Sequence, residues 1–168
     1  MSVLHTYYNI YEVIRRIDSE EIAVSETDEE PIVVRHDEMP EKRSPGVVRW
    51  QAFDDAHHAH DSDEQVWMGQ TRNEPGEWSN WHIHPHYVTY GYELTGRLRV
   101  EYGPGGAKSI EAGAGDFVRI PAGIVHREGS FGDTTRTGIG VRIGHGPLVV
   151  EVDGPDPVED AGQDTTER

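Results

Sequence analysis

The segment Gly76-Glu77-Trp78-Ser79-Asn80-Trp81-His82-Ile83-His84-Pro85-His86 falls where a strand should run, and strand geometry turns residues two apart to the same face. His82 and His84 therefore point together. Two imidazoles on one face, joined by a third from elsewhere in the fold, make a facial arrangement suited to Fe(II), Mn(II), Ni(II) or Zn(II), with coordination positions left for substrate or oxygen. The third candidate is His126. It follows Asp116-Phe117-Val118-Arg119-Ile120-Pro121-Ala122-Gly123-Ile124-Val125, a strand ending in a Pro-x-Gly turn that would carry the chain back toward the histidine pair.

Around these residues, from Val47 onward, short runs rich in Val, Ile, Tyr, Trp and Thr alternate with Gly, Pro, Asn and Asp, the texture of many short antiparallel strands. Strands are expected at 47–52, 66–72, 80–84, 89–94, 97–102, 108–112, 116–120, 137–143 and 148–152. Turn residues that tolerate positive φ separate them: Thr95-Gly96, Gly103-Pro104-Gly105-Gly106, Gly113-Ala114-Gly115 and Ala122-Gly123. A meander of this kind must close or sandwich to hide its edges, so the expected class is all-β, a small barrel or jelly roll.

Before the strands, Tyr7, Ile10, Tyr11, Ile14 and Ile17 recur at three- and four-residue steps, which predicts a short amphipathic helix that needs a packing partner. Residues 18–31 are acidic, 40–46 carry two prolines and charge, and both read as connections. The expected organisation is an N-terminal helix and acidic arm over 1–46, a barrel over 47–152, and a flexible acidic tail over 153–168 with almost nothing to bury.

Composition narrows the chemistry. The 168 residues suffice for one domain with one modest core. With 31 acidic against 15 basic side chains and a formal charge of -16, phosphate backbones and anionic membrane surfaces are repelled, so neither nucleic acid nor membrane is an expected partner. The basic residues are nearly all arginine, lysine standing only at Lys42 and Lys108. That balance resembles proteins of salt-loving organisms and equally fits an ordinary acidic protein. Cysteine is absent, so a metal must be held by nitrogen and oxygen ligands. The first residues lack the charged and apolar regions of a signal peptide, and no apolar run approaches membrane-spanning length. A soluble cytoplasmic protein is the expectation.

Two spaced motifs make the chain resemble the cupin superfamily. The first, G-x5-H-x-H followed by a glutamate and E-x6-G spacing, is matched by Gly76, His82, His84 and Gly96; the second, G-x5-P-x-G-x2-H-x3-N, by Gly115, Pro121, Gly123 and His126, with Ser130 in place of Asn. The resemblance implies a cupin jelly-roll β-barrel, a divalent metal inside its wider mouth, and a homodimer. The family's glutamate ligand should fall at Val88 or Thr89, and neither side chain replaces it. A three-histidine site resembles those of cysteine dioxygenase and the diketone-cleaving dioxygenases; alternatively His86 swings in as a fourth ligand, for iron, nickel, copper or zinc. Glu93 lies too far along.

The expected function is a metal-dependent cupin, a mononuclear non-haem dioxygenase holding Fe(II) and acting on a small anionic or chelating substrate. A non-oxidative lyase or isomerase, or a small-molecule-binding cupin, is the alternative. Tyr90 is a candidate catalytic residue, on the expectation that alternation puts it and Tyr92 along the interior wall near the metal. Trp67, Trp78, Trp81 and Phe117 read as barrel packing and rim. Arg72, Arg119 and Arg142 lie on expected strands; one that faces inward would need an anionic partner, and a substrate carboxylate would serve. The run His57-His58-Ala59-His60 among aspartates reads as a solvated polar loop.

Overall fold

β-branched and aromatic residues suit a pleated, half-buried surface, and glycine turns between short runs of them favour antiparallel pairing. In the computed structural model, which describes residues 30–57 and 63–156, that texture becomes two antiparallel sheets facing each other as the walls of a jelly-roll barrel. The strands are β1 (Glu41–Ser44), β2 (Val47–Phe53), β3 (Gln65–Asn73), β4 (His82–Ile83), β5 (Val88–Thr95), β6 (Arg97–Tyr102), β7 (Lys108–Gly113), β8 (Phe117–Ile120), β9 (His126–Ser130), β10 (Arg136–Gly144) and β11 (Val150–Glu151). The larger sheet runs β1-β2-β3-β10-β5-β8 and the smaller β11-β4-β9-β6-β7. The barrel lies in the unit that begins at Val34. The helix expected over 7–17, and the last twelve residues of the tail, fall outside the described residues.

Two strands were not legible as such. β1 is Glu-Lys-Arg-Ser, a charged segment that reads as a connection, yet it pairs along its length with β2 from Glu41↔Trp50 to Ser44↔Val47. Charge is what an edge strand carries on its open side. The hairpin turn is Pro45-Gly46, where Gly46 takes φ +66° and a Cβ would run into the Trp78 carbonyl. β9 begins at His126 itself, so the second-motif histidine lies on a strand and not in the turn before it.

Alternation along the larger sheet sorts its residues into two sets. Inward go Trp67, Thr71 and Asn73 of β3, Glu93 of β5, and Arg136 and Arg142 of β10; outward go Tyr90, Tyr92 and Phe117. The apolar core is small: Leu98, Val100 and Ala112 from the smaller sheet meet Val118 and Ile120 of β8, with Ile124 packed against them. The remaining interior of the larger sheet is largely polar, and burying polar groups is tolerated only where they are paired.

At one end of β10 the pairing is complete. Arg136 lies against Glu93 through Nε to Oε2 and Nη2 to Oε1, both 2.5 Å, while its Nη1 donates to Thr71 Oγ1 at 2.7 Å and to Asn73 Oδ1 at 3.2 Å. Glu93 is fully buried. Breaking such a pair leaves an uncompensated charge, at a cost of about 3–5 kcal/mol, whereas apolar replacement of both partners is often nearly neutral. Glu93→Gln is therefore expected to lower unfolding stability in urea by about that amount, and the double variant Glu93→Leu with Arg136→Met to recover most of it. A loss below about 1 kcal/mol for Glu93→Gln would mean that the pair does not hold the two strands together.

Candidate metal centre

β4 is two residues long and is held from both sides: Val150↔Ile83 and Glu151↔His82 pair it to β11, and His82↔His126 pairs it to β9. Residues directly opposite across antiparallel strands bring their side chains together. The His82 and His126 rings accordingly lie with centroids 4.3 Å apart, although 44 residues separate them in the chain. His84 follows immediately, its ring 5.1 Å from His82 and 5.4 Å from His126. The Gly123 N–H donates to the His84 carbonyl at 2.9 Å, which ties the turn of the second motif to the first.

All three imidazoles are buried, and each donates from Nδ1 to a main-chain carbonyl: His82 to Asn80 at 2.9 Å, His126 to Ile124 at 2.8 Å, and His84 to Leu148. A carbonyl only accepts, so Nδ1 carries the proton and Nε2 presents its lone pair. The three Nε2 atoms are buried with no hydrogen-bond partner among the described residues. One ligating nitrogen from each histidine lies within 4.8 Å of the others. Three orphaned, convergent lone pairs with fixed tautomers are the donor set of a divalent metal, and the carbonyls behind them orient the rings as outer partners do around bound metals. The residues fit the group. Burial, then the charge of Arg142, lowers His84 to about 3, so it stays the neutral, ligating imidazole through the neutral range. His82 is lowered as well, first by burial.

Beside the triad lies a cavity of about 430 Å³ lined by His82, Arg142, Arg49, Trp67, Gln51 and Leu148 among others. Arg142 is 3% exposed, its guanidinium carbon sits 4.7 Å from the centre of the Trp67 ring, and its Nε has no hydrogen-bond partner among the described residues. Burial lowers Arg142 to about 10, with Glu128 pulling the other way and Arg49 adding to the depression; it is still a cation at neutral pH. Of the three strand arginines singled out from the sequence, this is the inward one. Arg72 pairs with Glu74 at 2.5 Å and Arg119 is exposed.

Other expectations are corrected. Tyr90 is 44% exposed on the outer face of β5, because the inward set on that strand runs through Thr89, Gly91 and Glu93; the interior wall was assigned to the wrong alternation. Phe117, expected as packing or rim, is 81% exposed on that same outer surface, its ring tilted against that of Tyr92 with centroids 4.7 Å apart. His86 is exposed and stacks on His145 with centroids 4.7 Å apart, outside the triad, since Pro85 ends the strand alternation that aims His82 and His84.

One residue was missed. Glu128, two places beyond His126 on β9, shares the inward face, and its side chain is 12% exposed with Oε2 3.6 Å from His126 Nε2. Burial would raise this carboxyl, but His126, His82 and Arg142 hold it well below the usual carboxylate range. The signal was available: once a strand starts at His126, period-two alternation puts Glu128 beside it.

Residues 70–136 match the family model described as the cupin domain. No curated protein sequence matches the chain. Among solved structures, Bacillus subtilis oxalate decarboxylase, in a study of its Mn(II) centres, is similar with a TM-score of 0.57 and 20% identity over 70% of this chain and 31% of its own. Lactobacillus farciminis oxalate decarboxylase in its formate complex gives 0.56 and 16%, over 69% and 34%. An oxalate oxidase in complex with the substrate analogue glycolate gives 0.52 and 26%, over 66% and 57%. The chain thus spans about a third of the decarboxylases' length and little more than half of the oxidase's. The matched stretch contains both histidine motifs, which meet where β4 pairs with β9, so over residues 70–136 the chain is similar to the cupin domain, and its fold is that of these structures.

Proposed function

We propose that the barrel is a mononuclear metal enzyme acting on a small carboxylate anion, with O2 as co-substrate in the manner of a dioxygenase. The observation that carries this reading is Arg142, a buried guanidinium with an unpartnered Nε lining the same cavity as His82. An unsatisfied buried cation is costly, and at the other end of the same strand Arg136 has its glutamate. Arg142 has no carboxylate within ion-pair distance among the described residues, Glu128 acting on it only at longer range, and a ligand carboxylate supplies a charge-assisted, planar contact. A cavity of about 430 Å³ suits a small molecule. The names of the oxalate-processing enzymes of similar fold point to the same substrate class.

His82, His84 and His126 would hold the metal, Fe(II) or Mn(II), which supplies Lewis acidity and a site for O2 when bound. Arg142 anchors and orients the carboxylate, and Arg49, half-buried beside the cavity, adds positive potential there. The Arg142 guanidinium carbon lies over the Trp67 ring, 4.7 Å from its centre, and the indole N–H donates to Gln51 Oε1 at 3.0 Å. Excluding water on the ring's side strengthens the ion contact. A non-oxidative carbon–carbon lyase is the second reading, favoured by the likeness to two oxalate decarboxylases.

Protein stripped with chelator and reloaded with Fe(II) or Mn(II) is to be tested against small mono- and dicarboxylates, diketones, flavonols, thiols and catechols, following oxygen uptake and CO2 release. Metal-dependent oxygen consumption with a carboxylate is expected. CO2 release without net oxygen uptake would favour the lyase, and inertness across the panel in both metal forms would reject the enzyme reading.

Two variants probe the division of roles. His84→Ala is expected to abolish stoichiometric metal binding in calorimetric titration. Arg142→Gln is expected to leave metal content intact while raising KM for the carboxylate about 10- to 100-fold, the equivalent of about 1.5–3 kcal/mol for a lost charged hydrogen bond. An unchanged KM would remove Arg142 from substrate binding.

A further inference from the structure

The motif's glutamate has no counterpart on β5. Its place is Thr89, which faces inward with its Oγ1 buried and unpartnered among the described residues, directly across from Arg142 on β10. A carboxylate there would meet the Arg142 guanidinium and be neutralised by it. The inward carboxylate near the triad comes instead from β9, where Glu128 follows His126 at strand spacing and stands beside that one histidine, just outside the 4.8 Å cluster of ligating atoms that His82, His84 and His126 form.

The contact between them is informative. His126 donates from Nδ1 to the Ile124 carbonyl, so in its neutral form Nε2 is a lone pair, and Glu128 Oε2 stands 3.6 Å from it. Two electron-rich atoms facing each other in a buried pocket repel unless a cation lies between them. The separation suits that arrangement: two ligands bonded to one ion at roughly 2.0–2.2 Å, with angles between octahedral and tetrahedral, stand about 3–3.6 Å apart. The backbone of β9 is fixed here too, since the Glu128 N–H donates to Ser79 Oγ at 3.0 Å and the Ser79 N–H to the Glu128 carbonyl at 2.8 Å.

We propose that Glu128 is the fourth protein ligand of the metal, a carboxylate delivered from the second-motif strand in place of the one missing from the first. The inference rests on the metal centre formed by His82, His84 and His126. Its consequence is a division of charge around the triad: the anionic ligand comes from β9, while β5 offers only the Thr89 hydroxyl across from Arg142, which leaves Arg142 on the cavity wall to the substrate.

The test is metal binding to the full chain, read without turnover. Calorimetric titration with Mn(II) and the visible spectrum of the Co(II) form are compared for wild type and Glu128→Gln, with circular dichroism confirming the fold. Loss of affinity beyond about 100-fold is expected, more than removal of an outer partner costs, together with a changed Co(II) ligand-field spectrum. A crystal structure of the Mn(II)-loaded wild type is expected to place a Glu128 oxygen within roughly 2.0–2.3 Å of the ion, and this decides the matter should the variant fail to fold. Equal affinity and an unchanged Co(II) spectrum in Glu128→Gln, or a water between carboxylate and ion in the crystal, would overturn the ligand assignment while leaving the triad standing. A wild type that takes up neither Mn(II) nor Co(II) would overturn the metal centre and this inference together.

Discussion

The site depends on three hydrogen bonds that point away from it. Each imidazole of the triad gives its Nδ1 proton to a main-chain carbonyl, at Asn80, Leu148 and Ile124. That choice leaves three Nε2 lone pairs aimed at one buried point. Because the acceptors belong to the backbone, tautomer and ring orientation are set by the segments that lead into β4, β9 and β11. The short pairing of β4 with β9 and β11 is therefore as much a part of the site as the ligating atoms.

On the inner surface of the larger sheet, β10 carries two arginines in opposite circumstances. Arg136 is satisfied on every side, by Glu93, Thr71 and Asn73, and serves as an internal clamp. Arg142, six residues on and roughly 20 Å along the strand, has an aromatic face but no matching carboxylate on its own sheet. One buried ion pair is complete within the protein; the other half-pair faces a cavity and a cluster of metal-type ligands. The same strand thus ends in structure at one side and in binding chemistry at the other.

Much of this was legible in the chain. Short β-rich runs between glycine turns, and two histidine motifs in order, were enough to expect a cupin barrel with His82, His84 and His126 gathered, because period-two alternation and turn chemistry are local properties. The edge strand β1 was hidden by its charge, which is what keeps an edge from pairing with strangers. Tyr90 was placed inside because alternation along β5 was counted from the wrong starting residue; a one-residue error sends every side chain on a strand to the opposite face. Glu128 was passed over for a related reason, since the strand that aims it was not recognised as beginning at His126.

From residue order alone came the fold class, the metal-type histidines and the absence of thiolate ligands. Which buried charges found partners was settled by folding. That Arg136 meets Glu93 while Arg142 meets a cavity, and that a carboxylate reaches the triad from β9 and not from β5, depends on strand order and register between segments distant in sequence. Local pattern sets which face a side chain takes once a strand is placed. Only the pairing of distant strands sets what that face looks upon.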